Sequence, residues 1–412
     1  MDNIKPVLSK YIIDVDNIYK NVSECQKRNN KYKIIDVFRL MIQSSFKDNY
    51  YSDFVENYND LSMASSGNIS YWTNKIYDID ISNYYASCYN SNNKQLNHID
   101  KDLHHIFDKF IVNAVDGSCI NCSVNNLSGK NLSSITISSI LDVSNKMFFN
   151  YDIAFDNNEN KILLKQPLTK KNLIIADRGY SNICFLKQLI KKTNFVIRLK
   201  KNLSIVKNFV KKNIDSDIIR FGNYKLKLVR YYVNKKTRKL IINKYKVDGK
   251  YKPEDEDDLY VIATNITSLT NLECSKLYSL RWSVEVAFKH LKSNFKVRHI
   301  CKEDNSKNPI NKTKYWLDVS FYMYNLSRSI KNNIDNSNKC NCRYSKLANI
   351  VRNIMVNKIE NIDDIIDKFI IIAKRFRNNR NPNANIRKIN KKGKYKSFFT
   401  IQTLNSLLDD NG

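Results

Sequence analysis

Between residues 110 and 199 the chain alternates short apolar runs with helical stretches in an order that few folds accommodate. Phe110-Ile111-Val112-Asn113-Ala114-Val115 is a strand-like run that should stop at Asp116-Gly117. Ser134 to Leu141 is β-rich and partly alternating, and Asp142-Val143-Ser144-Asn145 should turn it into a second strand, Lys146 to Ile153. A helical stretch near 159–166 follows, then a buried strand, Leu173-Ile174-Ile175-Ala176, that ends in Asp177-Arg178-Gly179-Tyr180. An amphipathic helix from Ile183 to Lys192 leads into the strand Phe195 to Leu199. Three strands, helix, strand, helix, strand predicts an α/β domain with a mixed sheet and helices on its faces.

That order is the one of a ribonuclease-H-like core. Residues 200 to about 263 read as strand-like and aromatic, with an acidic hinge at Glu254 to Asp258, and are expected to form a β-strand insertion. The chain is therefore expected to divide into an N-terminal helical module over 1–105 and a catalytic domain over 106–330 with the insertion at about 200–263. A basic helical C-terminal region over 331–412 follows. Whether the N-terminal module meets DNA or only packs is left open by its residues.

Charge narrows the partner. Lys and Arg number 69 against 40 Asp and Glu, a formal net charge of +29, spread along most of the chain. The abundance of Asn, Lys, Ile and Tyr is what AT-rich coding yields, but such coding does not by itself deplete acids this far. Ten Lys and Arg and no acid fall within 374–396, the pattern of a solvated basic arm. A long polyanion, nucleic acid above all, is the expected partner. No apolar run approaches the roughly 20 residues of a membrane helix, and the first residues carry no apolar leader core. An intracellular protein without a membrane partner is expected. Nine scattered cysteines do not form a disulfide framework, and Cys119-x2-Cys122 with Cys340-x-Cys342 lacks the spacing of a zinc ribbon.

Two of only eight glycines follow aspartates where strands should end, at Asp116-Gly117 and Asp177-Arg178-Gly179. Either one alone is ordinary turn chemistry. A third feature changes their weight. Tyr278 to Phe295 reads as one helix in which Leu280, Val284, Ala287, Phe288, Leu291 and Phe295 share an arc of about 100°. Tyr278, Arg281, Glu285 and Lys292 share the opposite side within about 60°. Two aspartates at strand ends and a glutamate on a helix across the sheet make a hard-oxygen set suited to Mg²⁺ or Mn²⁺ rather than zinc. Paired ions in such a set activate a water or 3′-hydroxyl against a phosphodiester, with Arg281 and Lys292 beside it to hold phosphates.

The spacing Y-x2-R-x3-E-x6-K, here Tyr278, Arg281, Glu285 and Lys292, resembles that of the DDE transposases of bacterial insertion sequences. Asp116 within AVDGS and Asp177 within IADRGY match that family's two aspartates, and VIRLKKN (196–202) and YVIATN (260–265) also resemble it. The resemblance covers roughly 34–330. It implies catalysis and metal binding by Asp116, Asp177 and Glu285, two Mg²⁺ or Mn²⁺ ions, and phosphate binding by Tyr278, Arg281 and Lys292. It further implies double-stranded DNA, both element ends and target, as partner, and a homodimer on DNA. The base-stacking tryptophan that some relatives carry in the insertion has no match, since Trp72, Trp282 and Trp316 all lie elsewhere. A silent or domesticated DNA-binding descendant is the alternative, and a repair nuclease on the same fold is a third reading.

Overall fold

The computed structural model describes residues 94–125, 131–154, 159–232, 259–295 and 309–338, with isolated helical positions at 17–18, 20–24, 37, 71, 75–76, 348 and 351. The 374–396 arm and most of the expected N-terminal module lie outside the described residues. One eight-stranded sheet dominates, in the order β3-β2-β1-β4-β5-β8-β7-β6. Its first five strands are β1 Ile111–Asn125, β2 Asn131–Asp142, β3 Met147–Ala154, β4 Asn172–Ala176 and β5 Asn194–Arg198. β1, β2 and β3 form an antiparallel meander, and β4 and β5 add in parallel beside β1. This is the ribonuclease-H-like arrangement.

Each element follows from its residues. β4 is buried at all five positions, as a strand covered on both faces must be. The β2–β3 turn is held by the Asp142 carboxylate, which accepts from the Ser144 and Asn145 backbone and side chains. Between β3 and β4 lies α2, Glu159–Lys165, preceded in the chain by α1, His104–Lys109. α3, Ile183–Lys192, buries Phe185, Leu186, Leu189 and Ile190, is capped by the Asn182 side chain, and ends on Lys191 and Lys192 where the helix dipole favours cations.

Three expectations are corrected. β1 does not stop at Asp116-Gly117; it runs on to Asn125, paired with β2, and what ends there is its pairing with β4. The strand-like reading of 200–263 holds in part. Ser204–Lys211 is a helix, α4, burying Val206 and Phe209 one turn apart. The strands β6 Ser216–Phe221, β7 Tyr224–Tyr232 and β8 Leu259–Thr264 extend the core sheet itself, β8 pairing antiparallel with β5. Residues 233–258, with the acidic hinge, lie outside the described residues.

The expected single helix over 278–295 is two: α5, Asn271–Ser279, and α6, Trp282–Asn294. Leu280 and Arg281 between them bond to carbonyls three residues back instead of four, a tightening that interrupts the α-helix. α7, Pro309–Asn338, follows and runs through residue 330.

Pleating sorts the two faces. Val115, Ile174, Ala176, Phe195, Ile197, Val261 and Ala263 join one apolar cluster with residues of α2, α3 and α4. Their alternates face α5 and α6. On that second side Phe148 packs against Phe288 of α6 and Phe321 and Tyr324 of α7. Asn325 of α7 completes the sheet edge, its Oδ1 accepting from Phe148 N and its Nδ2 donating to Phe148 O, both at 2.8 Å. Asn325→Leu keeps the branched side-chain skeleton but strands both backbone groups, so it should destabilise the fold by about 3 kcal/mol. Urea unfolding checks this, and a loss under about 1 kcal/mol would mean that water takes over both bonds.

Candidate active site

The last β1–β4 register pair is Val115↔Ala176, so the next residues, Asp116 and Asp177, stand side by side where the parallel pairing ends. Alternation turns both toward the α5–α6 face. Asp116 lines a cleft of about 410 Å³ with Ser118, Glu285, Phe288, Lys289, Lys292 and Ser293. α6 lies across β1, burying Val284, Ala287, Phe288 and Leu291, so its other side carries Glu285, Lys289 and Lys292 into the cleft. Arg281, just before α6, reaches one turn ahead to Glu285 at 2.5 Å. Lys292 Nζ donates to Cys119 O at 3.1 Å.

Asp177 is held differently and does not line that cleft. Its Oδ1 takes the Arg198 guanidinium at 2.8 Å and accepts from the Tyr278 hydroxyl at 3.2 Å. The break between α5 and α6 explains Tyr278: it ends α5 as a buried ring aimed at Asp177 rather than sharing an exposed stripe with Arg281 and Glu285. Tyr231 of β7 meets that ring edge-on and stacks with Tyr260 of β8, over which the Arg198 guanidinium sits at 4.3 Å. Trp282, beside Arg281, is 61% exposed.

Asp116 and Glu285 thus share one cleft, Asp177 stands at the adjoining strand end, and Arg281 and Lys292 flank the acids. Among the described residues no three His, Cys, Asp or Glu side chains are grouped closely enough to hold one ion, and Asp177 is engaged by Arg198 and Tyr278. Sequence reasoning did not single out Arg198, Tyr231, Tyr260 or Lys289. The signal for Arg198 was a charge directly after the apolar run Phe195-Val196-Ile197 of a buried strand.

The electrostatics favour a cation. Burial pushes the Asp116 carboxyl up to about 7; Arg281 works against this, while Glu285 and Glu159 add to it. Burial raises the Tyr278 hydroxyl as well, with the Asp177 charge adding to it, so it remains a donor. Burial opposes the Arg281 charge, but Tyr278, Glu285 and Asp177 hold its pKa above the ordinary value. A half-buried carboxyl held neutral only by burial and like charge is what a hard cation relieves. With oxygen donors and no thiol or imidazole lining the cleft, the residues fit Mg²⁺ or Mn²⁺.

Fold and cleft together define a ribonuclease-H-like α/β domain with two aspartates where the parallel pairing of β1 and β4 ends. The chain matches, over residues 110–310, the family described as the transposase DDE domain. It is 27% identical over 264 residues to the transposase for insertion sequence element IS1151 of Clostridium perfringens, covering 52% of this chain and 56% of that protein. The chain thus matches little more than half the length of this relative. A solved piggyBac transposase synaptic complex with hairpin DNA superposes with a TM-score of 0.46 at 11% identity, over 94% of this chain and 88% of that one.

Asp116 yields a prediction for the metal-free protein. Its folded pKa of about 7 exceeds that of the unfolded chain, near 4. The folded state therefore keeps a proton that the unfolded state has lost, and stability falls as pH rises between those values. The full cost above that window is on the order of 4 kcal/mol. Asp116→Asn should remove this slope, raising stability at pH about 8 while changing it little near pH 4. Urea unfolding at the two pH values, with chelator present, checks it; the same slope in both proteins would refute the assignment.

Proposed function

We propose that the chain is a DNA transposase that binds the terminal inverted repeats of a mobile element. It would catalyse metal-dependent strand cleavage and transfer in a cut-and-paste reaction, working as a homodimer on DNA. The observation that carries this reading is the cleft in which Asp116 and Glu285 meet under Lys289 and Lys292, with Asp177 one strand away.

Asp116, Asp177 and Glu285 are the residues to hold two Mg²⁺ or Mn²⁺ ions. Bound there, the metal supplies Lewis-acid activation of a water or 3′-hydroxyl and steadies the leaving oxygen. The chain's own groups do the rest. Lys289 and Lys292 line the cleft and can hold phosphates that flank the scissile one. Arg281 is a planar, permanently charged donor that can pass from Glu285 to a phosphate oxygen. Tyr278, buried with its hydroxyl on Asp177, steers that acid instead of meeting phosphate, which leaves Arg281 and Lys292 as the phosphate-binding pair. Trp282 offers an exposed flat surface for a base to stack on. The net charge of +29 supports double-stranded DNA, element ends and target alike, as the partner. Among the described residues no helix is long and apolar enough to cross a membrane.

One observation favours a second reading, a catalytically silent DNA-binding descendant: Asp177 is engaged by Arg198 and Tyr278. Cleavage decides between them. With labelled terminal-repeat DNA, the wild-type chain should cut in Mg²⁺ or Mn²⁺ and not in chelator. Asp116→Ala, Asp177→Ala and Glu285→Ala should each lose at least about a hundredfold in rate while still binding the ends. Retained cutting by Asp177→Ala would remove it from the site, and a wild-type chain that binds ends without cutting would establish the silent reading.

Arg281→Ala and Lys292→Ala should weaken cleavage and end binding, and shallow the dependence of log affinity on log salt by about one unit for each phosphate no longer neutralised. Their unfolding should stay cooperative, since neither belongs to the buried face of α6. Unchanged salt slopes in titrations of both variants would deny them a role in holding phosphates.

A further inference from the structure

Gly117 sits inside β1, with extended neighbours and a partner on β2, so no turn requires it. What it makes room for lies behind the sheet. A Cβ built on Gly117 would stand 2.0 Å from Glu159 Oε1 and 2.2 Å from its Cδ. Glu159 opens α2, and its carboxylate occupies the space that any other residue at 117 would fill. Its second oxygen accepts from the Tyr180 hydroxyl at 2.8 Å. Tyr180 is buried in the α2–α3 cluster and belongs to the short turn that follows Asp177. Burial and the adjacent Glu159 charge raise its pKa well above the ordinary range, so it stays protonated and donating.

One carboxylate therefore touches the residue after Asp116 and the residue three past Asp177. It does so from the face opposite the cleft, since Gly117 alternates with Asp116.

We propose that Glu159 is a positioning residue for the acidic site: it braces the strand carrying Asp116 against the turn carrying Asp177. The inference rests on the reading of those aspartates as metal-holding acids, and it assigns Gly117 and Tyr180 their parts. Gly117 admits the carboxylate; Tyr180 aims it. Removing a group hydrogen-bonded to a metal ligand weakens metal binding by about 10- to 100-fold, and Glu159, which acts through the neighbours of the two aspartates, is expected at the low end of that range.

The test uses the full chain, with Mn²⁺ affinity read by electron paramagnetic resonance and terminal DNA affinity read alongside. Glu159→Ala should lower Mn²⁺ affinity by about tenfold or more and leave DNA affinity unchanged. Glu159→Gln, which fills the same space and still accepts from Tyr180, should restore most of it, and Tyr180→Phe should show part of the loss. Gly117→Ala should act in the same direction. Combined with Glu159→Ala it should do no further harm, because both changes break the same interaction. Wild-type Mn²⁺ affinity in Glu159→Ala overturns the proposal. If that variant fails to fold, wild-type affinity in Tyr180→Phe overturns it instead. A wild-type chain that binds no Mn²⁺ overturns the metal reading and this inference together.

Discussion

The parallel pairing of β1 with β4 is the contact on which the site depends. Five register pairs, from Ile111↔Asn172 to Val115↔Ala176, bring two segments some sixty residues apart in the chain to a common end. At the start of the pair Asn172 Nδ2 donates to Asn113 Oδ1 at 3.0 Å, a buried side-chain bond that pins the register. A slip of one residue would send Asp116 or Asp177 to the opposite face. The apolar helices on both faces then hold the pair, and α6 brings in the third acid only because β1 extends beyond β4 to support it.

Much of the core was legible because its signals are local. Leu173 to Ala176 is too short and too apolar for anything but a strand covered on both faces, and Ile183 to Lys192 carries a helical apolar stripe with cations at its end. The acids were legible as residues but not as a geometry. Periodicity places Tyr278 and Glu285 on one stripe, yet the tightened backbone at Leu280 and Arg281 redirects Tyr278 into the interior, and no residue there marks a break as Gly or Pro would. Gly117 misled for a related reason. A glycine beside an aspartate reads as a turn, whereas here it answers a side chain forty-two residues on, which no local pattern encodes. Arg198 and Tyr260 were hidden in the same way, since their pairing arises from β5 and β8 lying side by side.

The resting arrangement around Asp177 has its own logic. A carboxylate at a strand end in a basic protein recruits the nearest guanidinium, and Arg198 is held for that purpose by stacking on Tyr260. Its buried Nε has no hydrogen-bond partner, so the ion pair is not fully compensated. An imperfectly satisfied pair is easier to open when a stronger cation competes for the carboxylate.

Tyr232 of β7 and Leu259 of β8 are directly paired, so the two ends of the segment that joins these strands sit side by side on the sheet. The segment's length can change in evolution without moving either strand, because loop-closure entropy grows only slowly with length. The same doorway admits a fluorescent or affinity module for engineering, while the core beneath it keeps its register.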